Sequence, residues 1–112
     1  MMIETTWLGM ALLLVFLHFL ADFPLQGEYI AMHKNPASGD PNWMWIMSAH
    51  CAVHAGFVLL ATGSAVLFAL EFIVHFGVDV AKCKGAIGFT LDQTLHLFSK
   101  LVWLSALMLV LA

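Results

Sequence analysis

The sequence predicts an all-α fold, a transmembrane four-helix bundle with short loops and both termini outside. The first observation behind this prediction is composition, because 62% of the 112 residues are hydrophobic and only 10% are charged. Soluble domains average roughly 45–50% apolar and about 25% charged residues. The second observation is that the apolar residues fall into long runs separated by short polar segments. A water-soluble chain of this length has room for one small core, so the surplus apolar surface requires lipid.

Charge and cysteine content exclude two further classes of protein. The chain has four lysines, no arginine and a net charge of −3, so it offers no basic face to a nucleic acid. Its two cysteines, Cys51 and Cys83, lie far apart in the sequence. They predict neither a disulfide framework nor a paired-cysteine zinc site.

The first predicted span covers about residues 5–23 and ends there because Pro24 cannot continue a helix. Its length suits the bilayer core, which roughly 20 apolar residues cross. A cleaved signal peptide fits less well, since no basic segment precedes the run and no small-residue cleavage site follows it. The run also contains His18 and Asp22. We therefore expect a retained helix.

The middle of the chain predicts one polar loop and a helical hairpin. Residues 27–42 form the most polar segment and are predicted as a loop. The apolar run over residues 43–80 is too long for one span, and it contains a single turn-like cluster at residues 62–64. We therefore predict two spans, about 43–61 and 65–82, joined by a tight turn.

The fourth predicted span covers about residues 91–112, after a short connector. No internal repeat divides the sequence, so residues 1–112 are predicted to form a single integral membrane domain. Lysine positions predict its orientation, because Lys34 lies in the first loop while Lys82 and Lys84 lie at the third. The positive-inside rule then places both loops in the cytoplasm and both termini outside.

Ionisable residues inside spans cost about 2.5–3.5 kcal/mol each at a helix centre, yet here they are frequent and regularly spaced. Residues four apart lie one turn apart on the same helix face. The four spans carry, in order, His18 and Asp22 followed by Gln26; His50 and His54; Glu71, His75 and Asp79; and Asp92, Gln93, His96 and Lys100. At 1.5 Å of rise per residue, one histidine of each span lies about 8–10 Å from its cytoplasmic end. The polar stripes are therefore predicted at one common depth.

Imidazole and carboxylate groups gathered inside a bundle are typical of metal coordination. The predicted ligands are His18, Asp22, His50, His54, His75, Asp79, Asp92 and His96. The residues predicted to surround them are Gln26, Glu71, Lys82, Gln93 and Lys100, with an ion pair between Glu71 and Lys100. A set without thiolates suits a divalent metal; we favour zinc, with manganese and iron as alternatives.

A catalytic version of this site would keep one metal position open for water, whose pKa a metal lowers to about 7. A carboxylate beside that position would then act as general base. The three aspartates nearest the cytoplasmic ends of the spans, Asp22, Asp79 and Asp92, are the candidates for this catalytic role. At least one of them is predicted to be dispensable for metal binding and required for activity.

Four segments carry a family resemblance. They are His18-Phe-Leu-Ala-Asp22-Phe-Pro-Leu-Gln26, the His50/His54 helix, Glu71-Phe-Ile-Val-His75-Phe-Gly-Val-Asp79-Val-Ala-Lys82 and Asp92-Gln93-Thr-Leu-His96. In order and spacing they resemble the domain-of-unknown-function family 3307, small multi-span proteins of bacteria and their phages. The resemblance implies a multi-pass protein of the bacterial inner (cytoplasmic) membrane and implies no activity. More loosely, the design is similar to bacterial membrane-bound metal-dependent hydrolases.

Three functions stay open on the sequence alone. The first is a metal-dependent membrane hydrolase that cleaves a lipid-like or membrane-associated substrate near the cytoplasmic leaflet. The second is a membrane adaptor or phage-type modulator of another membrane protein, in which the metal or polar network is structural. The third is proton or metal-ion transport, which the apolar outer halves of the spans disfavour. The lipid bilayer is the expected partner in each case, and homo-oligomerisation stays open.

Overall fold

The computed structural model describes residues 6–111, and within that range the chain is all-α with no strand. Its elements are α1 (Trp7–Asp22), α2 (Gly27–His33), a 3₁₀ turn (Pro36–Ser38), α3 (Trp43–Thr62), α4 (Ala65–Cys83) and α5 (Phe89–Leu111). The all-α prediction is thus confirmed. The location predicted for both termini concerns residues outside the described range.

Local sequence explains where the helices begin and end. The side chain of Thr6 accepts a hydrogen bond from the amide of Gly9 and so caps the start of α1. Between α3 and α4, Gly63 ends α3 with a left-handed φ of 73°, which glycine adopts without a side-chain clash. Ser64 then caps α4 by accepting a hydrogen bond from the amide of Leu67. The predicted break at residues 62–64 therefore lies where the chain turns.

The four long helices pack side by side in a ring. α1 contacts α3 and α5, and α4 contacts the same two helices. The predicted loop over residues 27–42 is partly helical, since it contains α2 and the 3₁₀ turn. α2 lies against α3, and the 3₁₀ turn lies against α3 and α4. α2 is bent by 81° from α1. This bend places α2 across the ends of the long helices.

Two helices, α3 and α5, are long and apolar enough to cross a membrane by length and composition. The bent pair of α1 and α2 would make a third span if counted together. α1 alone has 16 residues, or about 24 Å at 1.5 Å per residue, less than the roughly 30 Å of a bilayer core. α4 contains three charged residues, Glu71, Asp79 and Lys82. The described chain therefore has two or three candidate spans.

Polar and apolar residues are distributed in the reverse of a water-soluble protein. Within the described residues, eleven polar or charged residues are buried, nearly as many as the twelve buried apolar ones. Large apolar side chains lie outside instead, among them Phe16, Trp45, Ile73 and Leu109 at 61–81% exposure. In water, both features are costly. They suit a chain surrounded by lipid.

The buried residues divide between the two halves of the ring. The half near the Gly63 turn contains an apolar core of Met10, Leu14, Leu17, Val58, Ala61, Leu67, Trp103 and Leu104. The half near α2 contains the buried histidines, carboxylates and lysines. We call this second set the polar centre; it consists of His18, Asp22, Lys34, His50, His54, Glu71, His75, Asp79, Asp92, His96 and Lys100.

Candidate metal centre

The polar centre draws on all four long helices, because each turns its one-turn-spaced polar stripe toward the middle of the ring. The five histidines of the centre are each at most 2% exposed. Among its carboxylates, Asp22 is the most accessible, with a side chain 11% exposed. The centre is therefore most exposed at Asp22.

Four side chains converge on one point: Asp22 from α1, His50 and His54 from α3, and His75 from α4. One ligand atom from each lies within 4.8 Å of all the others. The Oδ1 atom of Asp22 is 2.9 Å from Nε2 of His54 and 3.3 Å from Nε2 of His50. The Nε2 atoms of His50 and His75 are 3.4 Å apart.

Two of these separations equal those between ligands of a small divalent cation. Bonds of 2.0–2.1 Å to tetrahedral zinc place neighbouring ligand atoms about 3.3 Å apart. The distances from Nε2 of His50 to Asp22 and to His75 match that value within about 0.1 Å. Three imidazoles and one carboxylate also form a donor set that zinc accepts.

His75 is held in position by a carboxylate on its far side. Its Nδ1–H donates to Oε2 of Glu71 at 3.0 Å, and this fixes Nε2 as the unprotonated nitrogen that faces His50. Glu71 also accepts hydrogen bonds from Lys100, at 3.0 Å, and from the indole of Trp103, at 2.8 Å. In metal sites, a carboxylate commonly orients a ligating histidine by accepting a hydrogen bond from its other ring nitrogen in this way.

Asp79 lies beside the four converging groups but is bound to a lysine. Its Oδ2 atom is 3.4 Å from Nε2 of His50 and 3.8 Å from Nε2 of His75. The same atom accepts a hydrogen bond from Nζ of Lys34 at 2.6 Å, and Lys34 also donates to the side chain of Gln26. Asp79 therefore lies beside the four converging groups without being one of them.

The remaining predicted ligands lie around the amide of Gln93. Its Nε2 donates to Asp22 at 2.8 Å and to Asp92 at 3.2 Å, and its Oε1 accepts from His18 at 2.9 Å. His96 donates to the other oxygen of Asp92 at 3.1 Å. Among the described residues, Nδ1 of His18 is the one buried side-chain nitrogen or oxygen atom without a hydrogen-bond partner. Thus His18, Asp92 and His96 lie next to the converging set rather than within it.

Two lysines make contacts that the sequence did not predict. Lys34, predicted in a cytoplasmic loop, is 4% exposed and reaches into the polar centre. Nζ of Lys82 lies 5.5 Å from the centroid of the Phe89 ring. Trp103 was not predicted, although its spacing of seven residues from His96 and three from Lys100 places it on the same helix face. No local pattern marks Lys34, because its contacts come from distant helices.

The charges of the polar centre do not balance. Four buried or nearly buried carboxylates, from Asp22, Glu71, Asp79 and Asp92, are matched by two lysines, Lys34 and Lys100. With neutral histidines the centre carries two uncompensated negative charges, which are costly in a low-dielectric interior. One divalent cation would neutralise them.

The packing of the imidazole rings favours a cation bound to neutral histidines over protonated histidines. The ring of His75 is stacked between those of His54 and His96, with centroids 3.8 Å and 4.0 Å away. Two positive charges at about 4 Å repel strongly where the dielectric constant is low. Neutral imidazole is also the form that binds a metal.

Comparison with known proteins gives one family and no close relative of known activity. A family model described as "Protein of unknown function (DUF3307)" matches residues 10–112. No curated protein and no solved structure matches the chain. The residues of the polar centre all lie within the matched region.

Proposed function

The chain belongs to the DUF3307 family, whose description assigns no function, and we propose a function from the polar centre itself. The protein is an integral membrane protein that binds a divalent metal and uses it for hydrolysis. The observation that carries the metal proposal is the convergence of Asp22, His50, His54 and His75 within 4.8 Å. The two uncompensated charges of the centre support it independently.

We propose zinc as the metal, with manganese and iron as alternatives, and a single ion per chain. Three nitrogen donors and one oxygen donor favour zinc among common divalent ions. A second ion next to Asp92 and His18 is opposed by Gln93, whose amide already occupies the space between them. It would also give the centre a net positive charge, which is as costly as a negative one.

The hydrolytic part of the proposal rests on Asp79. This carboxylate lies next to two of the proposed ligands and is not needed to complete the set of four. A bound metal would supply an acidified water at this site, and Asp79 would accept a proton from that water. The water oxygen would form a bond to the carbonyl carbon or phosphorus of an ester, amide or phosphoester as the bond to the leaving group breaks. The proton held by Asp79 would then pass to the leaving group.

We further propose that all four long helices span the bilayer and that the bend after α1 places α2 at headgroup level. The polar centre then lies near the cytoplasmic leaflet of the membrane of a bacterial cell. Lys82 and Lys84 support this orientation by the positive-inside rule. A lipid-like or membrane-associated substrate would enter beside Asp22, the most exposed carboxylate of the centre.

Labelling tests the orientation. In a Cys83→Ala background, Ser38→Cys and Lys84→Cys should react with a membrane-impermeant reagent only in inside-out vesicles. Ala65→Cys, an exposed residue at the other end of the bundle, should react only in intact cells. Labelling of Ala65→Cys from the cytoplasm would place the centre in the other leaflet.

Elemental analysis and a hydrolysis assay test the function. Protein purified without chelator should contain about one metal ion per chain, and Asp22→Asn should lose it. Asp79→Asn should keep the metal and lose activity on a panel of fluorogenic lipid esters and phosphoesters, by roughly 10²–10⁴-fold for a general base. Absence of stoichiometric metal in the wild type would remove the proposal.

One observation favours the second candidate, a structural metal in an adaptor protein. The four converging groups are as many as a tetrahedral zinc ion binds, and structural zinc sites have four protein ligands and no open position. If Asp79→Asn keeps metal, fold and the full biological phenotype, the adaptor interpretation replaces the hydrolase. Transport has less support, because Lys100 and Trp103 both donate hydrogen bonds to Glu71 on the far side of the centre, and beyond them lies the apolar core.

A further inference from the structure

Lys34 is the single buried residue in the segment between Ala21 and Met47. α2 has no buried residue of its own, and the residues around it are exposed or half-buried. The long connection between α1 and α3 therefore inserts one side chain into the polar centre, and that side chain is an ammonium group. Burying a lysine is costly unless its charge is paired with an opposite charge and its ammonium group is hydrogen-bonded.

The ammonium group of Lys34 forms an ion pair with one specific oxygen atom. Nζ lies 2.6 Å from Oδ2 of Asp79, and this is the same oxygen that lies 3.4 Å and 3.8 Å from the metal-facing nitrogens of His50 and His75. Those distances are close to the separation of two ligands on one small metal ion. Without the lysine, Oδ2 of Asp79 would be positioned to coordinate the metal.

We propose that Lys34 is a positioning residue that keeps the carboxylate of Asp79 from coordinating the metal. By engaging this carboxylate, the lysine keeps the ion at four protein ligands and leaves Asp79 free to handle a proton. It also reduces the negative charge that attracts cations, so it weakens metal binding. The inference rests on the proposed metal site.

Removal of Lys34 should therefore tighten metal binding, whereas loss of a merely structural residue would weaken it. Lys34→Met adds one uncompensated negative charge to the centre and releases an oxygen ligand. We expect the affinity for Co²⁺, measured by competition with a chelator on the full chain in detergent micelles, to rise at least about tenfold. The visible Co²⁺ absorption should weaken, because the released oxygen of Asp79 raises the coordination number and Co²⁺ absorbs less strongly as its coordination number rises.

Three matched variants isolate the mechanism. Lys34→Arg keeps the charge and should retain the wild-type affinity within about threefold. The double variant Lys34→Met/Asp79→Asn removes both the lysine and the released ligand, so its affinity and spectrum should return toward wild type. Lys84→Met makes the same change in net charge at an exposed position and should have no effect.

The outcomes separate this inference from the proposed function. A wild-type chain that binds no stoichiometric Co²⁺ overturns both. A wild-type chain that binds Co²⁺, with Lys34→Met folded and bound equally or more weakly, overturns the role of Lys34 alone. If Lys34→Met fails to fold, Asp79→Asn decides: an unchanged Co²⁺ spectrum supports the inference, since Asp79 is then no ligand, and a changed coordination geometry overturns it.

Discussion

The two halves of the helical ring are built from the same four helices and held together by different forces. Near the Gly63 turn, residues such as Leu14, Val58 and Leu104 form the apolar core. Near α2, the polar centre joins the helices through hydrogen bonds and ion pairs, for example from Lys100 on α5 to Glu71 on α4. The same backbone arrangement therefore supports two kinds of interior.

In the proposed membrane-spanning arrangement, this difference has a physical consequence. Apolar side chains would gain little by leaving the bilayer for the apolar core, so that half would be stabilised mainly by close packing. A polar side chain would have no alternative partner in lipid, so the polar centre would select one arrangement of the helices. The apolar core fills space, and the polar centre specifies which helix faces meet.

The largest expected effect comes from breaking the buried ion pair of the polar centre. Lys100→Met leaves Glu71 without its lysine and should lower the free energy of unfolding by about 3–5 kcal/mol, as for other buried pairs. The measurement is reversible unfolding in mixed detergent micelles. Lys84→Met, at an exposed position, is the control. A loss of less than 1 kcal/mol of unfolding free energy in Lys100→Met would mean that the buried ion pair does not stabilise the polar centre as we expect.

The next effect separates the converging ligands from their neighbours. His75→Ala should abolish metal binding, and chelator should no longer affect its stability; in the wild type, chelator should remove about 2.7 kcal/mol at a metal concentration 100 times Kd. His18→Ala and His96→Ala should keep the metal, because these histidines bond to Gln93 and Asp92 instead. Metal loss in all three variants would indicate a larger ligand set than the four converging groups.

A smaller effect is expected from the apolar core. Leu14→Ala, at a position 2% exposed, should cost about 1–2 kcal/mol, less than in a water-soluble protein, because packing is lost without a large transfer term. Metal content should stay unchanged. Leu8→Ala, at a position 71% exposed, should change neither the free energy of unfolding nor the metal content. Loss of metal in Leu14→Ala would indicate that the two halves are mechanically coupled.

The smallest effect lies in the loop outside both halves. The backbone amide of Asn42 and the ring of His33 both donate to Asp40 and lower the pKa of its carboxyl. A carboxyl with a lowered folded-state pKa stabilises the loop above its unfolded pKa, near 4, and this contribution is lost as the pH falls through the folded value. Proteolysis of the metal-free chain at the loop should therefore increase below about pH 4. Asp40→Asn should remove this pH dependence.

Sequence spacing predicted much of this comparison. The one-turn spacing of His18 and Asp22, or of Glu71 and His75, placed each pair on one face, and in the structure these faces point to the middle of the ring. The pair of Glu71 and Lys100 was also predicted and forms at 3.0 Å. Such inferences succeed because helical periodicity is a local property.

Spacing did not distinguish the four converging groups from the polar residues around them. Of the eight predicted ligands, four converge, and Asp79, His18, Asp92 and His96 are bound to other groups instead. Which nitrogen of a histidine faces the centre depends on the partner of the other nitrogen, as with Glu71 and His75. That partner belongs to the three-dimensional arrangement.

The sequence by itself determined that the chain is all-α, where its long helices break, and that their polar faces meet inside an apolar exterior, since composition and period are encoded locally. Only the tertiary structure decided that Asp22, His50, His54 and His75 form the converging set. It also decided that Lys34 enters the polar centre, a contact between residues 45 positions apart in the chain. The reason is that a loop side chain follows no period, and its partner is fixed only when the helices have packed.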